Sequence, residues 1–294
     1  MKKLWISAAL LMTAGLFIAG VGIAMGANDG GLYIDRKGIH LNSSEFELFK
    51  NTDLDTVKEL TLNMSSTDIE IRTADFFGYE IFARDPENYI VSFTDGRLEI
   101  EQRRVFNIMV FNFSMKNEYV IVYVPKGAVL EIGNIKSSSG NTVVDSVSFE
   151  TLNLRNTSGN ATVKNVEAAY VTLKLTSGGI KVNGMKTGSF DATLSSGNLT
   201  VSELEASSLH CNLTSGNCKI SGKLNGDATL KLTSGNVVLD LKGKEQDFNR
   251  VIKVNSGRVR INGSRESAGN VNFNAEHTLD IKATSGNVDV GFNN

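Results

Sequence analysis

Side chains capable of chemistry are present but never gathered. His40, His210 and His277 are far apart in the chain, and none has a cysteine or histidine partner at metal-ligand spacing, so zinc is not expected. Asp191, Asp227 and Asp240 are the acids that invite comparison with polysaccharide-cleaving β-helices. Such enzymes need clustered carboxylates, or a base beside an arginine, on one outer face. These three occupy non-equivalent repeat positions. Serines are frequent in the turns, yet no His or Asp recurs beside them to activate a nucleophile. The turns also lack the acidic residue of a calcium-binding solenoid repeat. Catalytic residues, cofactors and metals are therefore all expected to be none. Cys211 and Cys218 fall on inward positions diagonal to one another, which suits buried free thiols better than a disulfide, although both states remain open.

What does recur is a tetrapeptide. Ser-Ser-Gly-Asn or Thr-Ser-Gly-Asn variants place Gly140, Gly159, Gly178, Gly197, Gly216 and Gly235 19 residues apart, with looser copies at Gly257 and Gly286. Counted from each glycine, apolar residues fall at −7, −5, −3, +2 and +4. Around Gly197 these are Phe190, Ala192, Leu194, Leu199 and Val201. Period-two alternation on both sides of a turn means two half-buried strands per repeat. A meander of antiparallel hairpins would use the same turn chemistry, but recurrence of like residues at one period favours stacking in register. Leu175, Leu194, Leu213 and Leu232 are expected to form one internal ladder, and the turn asparagines another. The fold expected is all-β, a β-solenoid (parallel β-helix-like) of 19-residue coils.

The chain ahead of the repeats divides in three. Residues 1–27 read as a membrane anchor: Lys2 and Lys3 precede an uncharged run at 4–27, long enough as a helix to span a bilayer. The positive-inside rule then places the N-terminus in the cytoplasm and the rest outside as a single-pass protein. A cleaved signal peptide is the competing reading, since Ala24-Met25-Gly26 offers a small-x-small site. Residues 28–31 form a tether. Residues 32–294 form the extracytoplasmic domain, with irregular coils over 32–129 capping regular repeats over 130–294. Leu60 to Ile71 looks like a degenerate repeat, and Thr94-Asp95-Gly96 like a hairpin turn.

Val105 to Met115 is the outlier, apolar and uncharged. It is either a strand filling the N-terminal coils or an exposed interaction patch built on Phe106, Ile108, Met109, Phe111 and Phe113. A net charge of −2 and the lack of a basic stripe with interleaved aromatics exclude nucleic acid as the expected partner.

Tyr119-Val120-Ile121-Val122-Tyr123-Val124-Pro125-Lys126-Gly127, Leu130 and the iterated Thr-Ser-Gly-Asn-Val-x-Val resemble a bacterial family of unknown function, known as "putative adhesin" or β-strand repeat-containing domains. Leu62 to Arg72 and Asp95 to Ile100 also look like its early strands. With an N-terminal membrane helix, the chain is similar to membrane-anchored members near Lia-type envelope-stress loci of Gram-positive bacteria. The resemblance implies no catalytic residues. It implies a non-enzymatic interaction module in cell-envelope homeostasis, with a cell-envelope protein or cell-wall polymer as partner. A surface adhesin or a bactofilin-type filament are the alternatives.

Overall fold

The computed structural model describes residues 12–15, 17, 20–21, 31–35, 38–42, 46–103, 108–112 and 117–293, with 31–35, 38–42 and 108–112 described by their backbone pairing. Each repeat alternates as its sequence requires. In the Gly197 coil Phe190, Ala192, Leu194, Leu199 and Val201 are buried, while Thr193 and Thr200 face solvent. Successive coils then pair in parallel, in register and one repeat apart. Leu154 lies against Leu173, Leu213 against Leu232, and Cys218 against Val237. That register excludes the hairpin meander for the repeats. It produces an all-β, solenoid-like stack around one continuous apolar core, in which Leu175, Leu194, Leu213 and Leu232 follow one another as a ladder.

The turn glycines are required twice over. All eight have φ between +102 and +147, the left-handed region that only glycine enters freely. Seven of them also sit on the glycine of the adjacent coil, and Gly140 sits on Thr67: a Cβ on Gly216 would lie 1.6 Å from the Gly197 carbonyl oxygen. Beside them runs the asparagine ladder. The backbone N–H and side-chain amide of Asn217 both donate to Asn198 Oδ1 at 3.1 Å, and Asn236 and Asn287 repeat the motif further along. At the other end Asn141 donates to Asp68, so Ser66-Thr67-Asp68 is a rung of the same ladder with Thr67 in the glycine's place.

Six residues past the turn glycine the chain bends again, with positive φ at Ser146, Asn165, Gly184, Glu203 and Gly222. Because five rungs use four residue types, this second corner leaves little trace in the sequence.

Spatial order departs from chain order at the C-terminal end. His277–Ser285 inserts between Ala228–Ser234 and Phe248–Ser256, so the Gly286 coil lies inside the Gly257 coil. The outermost coil is then closed by two reversed strands. Gly269–Val271 runs antiparallel to Phe248–Ser256, and Ser264–Glu266 antiparallel to Val259–Ile261 across an Asn262-Gly263 turn. The N-terminal end is also reversed. Tyr89–Thr94 is antiparallel to Arg97–Gln102, with Asp95 and Gly96 both at positive φ, and Phe77–Ala83 is antiparallel to Tyr119–Pro125.

Ile108–Asn112 is not a strand of the stack. It pairs with Gly31–Asp35 in a separate antiparallel sheet completed by Gly38–Asn42. Phe106 and Phe113 lie outside the described residues. Most of the run at 4–27 does too; its described residues, 12–15, 17 and 20–21, are helical. No helix among the described residues is long and apolar enough to cross a membrane.

Candidate binding face

Stacking converts one residue per coil into a line on the surface. The strands before the turns form a front sheet, those after it a back sheet. At position −4 of the front sheet the outward residues, in spatial order, are Lys136, Arg155, Lys174, Thr193, Asn212, Lys231, Lys282 and Lys253. Six cations thus occupy eight adjacent rungs, as two triads separated by two short neutral side chains. The line ends at Asn63 and Glu101, whose side chains hydrogen-bond at 3.2 Å. Parallel strands lie about 4.8 Å apart, so neighbouring cations repel at close range. Among the described residues only Lys282 of the six has a carboxylate within ion-pair distance, Asp280 at 2.7 Å.

The flanking row at −2 carries exposed hydroxyls: Thr157, Thr176, Ser195, Thr214, Thr233 and Thr284. Where Thr193 and Asn212 replace long side chains, a shallow trough of about 490 Å³ opens, bordered by Lys231, Lys253 and Lys282. A smaller depression of about 150 Å³ lies beside Lys136, Arg155 and Lys174. The back sheet has no such order. Its row at +3 reads Glu70, Val143, Thr162, Lys181, Thr200, Lys219, Val238, Asp289 and Arg260, with both signs and apolar residues mixed.

The residues singled out for chemistry are not brought together. Asp191, Asp227 and Asp240 occupy three different rows, and each accepts a local hydrogen bond, from Ser189, the Thr278 backbone and Asn293 respectively. His210 lies 3.7 Å from Asp191 on the open surface. No group of three or more His, Cys, Asp or Glu side chains able to hold a metal occurs among the described residues. Cys211 and Cys218 are buried and free. Their mutual hydrogen bond, followed by burial, holds the Cys211 thiol well above its ordinary value, so it stays protonated and unreactive. The cationic row escaped a reading along the chain because its members are a repeat apart; charge tabulated at the 19-residue period would have found it.

The model for the family described as Toastrack DUF4097 matches residues 57–291. The chain belongs to that family. The match begins at the strand that lays down the first front-sheet rung and ends in the last back-sheet strand, so it spans the whole Toastrack stack. No curated protein matches the chain. Among solved structures, it is similar to a "putative adhesin" of Bacteroides fragilis at 10% identity, covering 85% of this chain and 98% of that one with a TM-score of 0.46. A "putative adhesin" of Parabacteroides distasonis matches at 13% identity, with 84% and 98% covered and a TM-score of 0.40. A "putative lipid binding protein" of the same organism matches at 14% identity, with 86% and 98% covered and a TM-score of 0.40.

Proposed function

We propose that the chain is a non-enzymatic interaction module of the cell envelope, held at the membrane by residues 4–27 with its β domain outside, and acting in envelope homeostasis or stress response. The observation that carries this reading is the row of largely unneutralised cations on one sheet face. A surface that keeps like charges adjacent is destabilised by them in isolation, and a complementary partner relieves that repulsion. The back sheet, with its mixed charges, offers no comparable field. Surface adhesion would use the same face and differs only in where the partner resides. The filament alternative is disfavoured, because antiparallel strands close both ends of the parallel stack.

Crosslinking the full-length protein in its native membrane, followed by mass spectrometry, tests the reading. Crosslinks from front-sheet lysines to an envelope component are expected. Self-crosslinks between terminal coils alone would reject it.

A further inference from the structure

We infer that the cationic row is the docking line for a linear polyanion, a phosphate- or carboxylate-bearing polymer that lies along the stack axis across the strands. This deepens the contact reading above and rests on it.

Three features select a linear polymer over a folded protein. The row is one cation wide and seven steps long, which at about 4.8 Å per step is on the order of 34 Å. It has no exposed large apolar side chain in its own or the −2 row. A protein partner would need an apolar centre to the interface. The two triads, Lys136–Arg155–Lys174 and Lys231–Lys282–Lys253, supply charge at two places, with Lys174 and Lys231 separated by three steps, or about 14 Å. A chain with charges at regular intervals meets both triads and lies over Thr193 and Asn212 between them, where the trough gives it room. Five of the six cations are lysines, compact point charges on flexible stems. They suit phosphate or carboxylate groups of varying orientation better than the planar bidentate geometry of arginine. The hydroxyl row at −2 can meet the neutral backbone of the polymer. Glu101 repels the chain at the N-terminal end, which fixes where the line stops.

The test is isothermal titration of the full-length protein, in neutral detergent, with sodium polyphosphate and with polygalacturonate. Binding by either is expected, and which one binds identifies the anionic group. Six contacts predict a loss of roughly a hundredfold or more in affinity between 50 and 200 mM salt. The double variant K231Q/K253Q, which leaves the Lys282–Asp280 ion pair in place, should lose about tenfold or more in affinity, scaled from the charge contacts removed, without a lower melting temperature, since it removes like-charge repulsion. The back-sheet variant K181Q/K219Q should bind as the parent does. Equal losses in the two variants would overturn the proposal, as would binding to neither polymer. In those cases crosslinks from front-sheet lysines in the membrane would still support the contact reading.

Discussion

A methyl group is enough to test the stack at the scale of a residue. In Gly197→Ala the new Cβ would lie 1.8 Å from the Gly178 carbonyl oxygen at a φ of +141, so the rung must open. Gly127→Ala has positive φ but nothing within 4 Å. It should lose only about 1–2 kcal/mol of stability through backbone strain, and Gly197→Ala clearly more, by denaturant titration. Tyr89 gives a pH-dependent counterpart. Its hydroxyl lies 2.6 Å from the fully buried Thr67 Oγ1 and donates to Glu118 at 2.9 Å. Burial pushes the phenol well above its ordinary 10.0, opposed by the Thr67 hydrogen bond and assisted by the Glu118 charge. The unfolded phenol ionises near pH 10 while the folded one keeps its proton. The stability this confers is therefore complete below that pH and is lost as pH rises above it. Tyr89→Phe should be about 1–3 kcal/mol less stable at neutral pH, because Thr67 is left without its partner. It should also show a shallower alkaline decline in melting temperature.

At the scale of the repeating element, the asparagine ladder has one gap. Gly179 donates its N–H to Asn160 Oδ1 but offers Asn198 no side-chain acceptor. A Cβ there would meet Asn160 Oδ1 at 3.3 Å and the Asn198 carbonyl at 3.8 Å, the first needing a small side-chain adjustment. Gly179→Asn should complete the ladder and raise stability by about 1 kcal/mol, read as a higher urea midpoint at unchanged slope. This is also the level at which the sequence was most legible. The glycine period, the leucine ladder, Asp68 as a degenerate rung and the Asp95-Gly96 hairpin are local or exactly periodic signals, and the structure contains each of them. The second corner was not legible, since Ser146, Asn165, Gly184 and Glu203 share a backbone conformation but no chemistry. Ser146 and Glu203, at φ +60 and +54, have neither glycine's freedom nor asparagine's tolerance of this region. The exchange of the Gly257 and Gly286 coils was hidden too, because two loose copies of one turn carry no mark of which lies outside. The cationic row was hidden for the opposite reason: it has a strict period, but appears only when charges rather than apolar residues are aligned on it.

On the scale of the whole molecule, a parallel stack must end somewhere, and its ends are where another copy could add. An open edge presents unpaired N–H and C=O groups to any neighbouring strand. Here reversed strands occupy that position at both ends, and at the C-terminal end a buried arginine fastens them. Arg250 takes the inward −7 position of the outermost coil, where earlier coils have Val171, Phe190 or Leu209. Its Nη2 reaches Glu245 at 2.8 Å and its Nη1 reaches Glu266 at 3.3 Å, while Nε has no partner among the described residues. Arg250 is buried at the position paired with Leu279, and its guanidinium ties the Ser264–Glu266 strand and the Glu245 turn to the stack. Arg250→Leu would put an apolar side chain at that position and release the cap. Amide hydrogen exchange at Ile252 and Gly269, which pair across the cap, should then accelerate by at least about tenfold, as expected for a low-stability terminal unit. Exchange in the Gly197 coil should not change. Light scattering should report concentration-dependent association of the variant through its uncovered edge and a parent that does not associate this way. If cap exchange and association both stayed at the parent's values, the arginine would be a core residue that happens to carry charge, and closure of the end would rest on strand pairing alone.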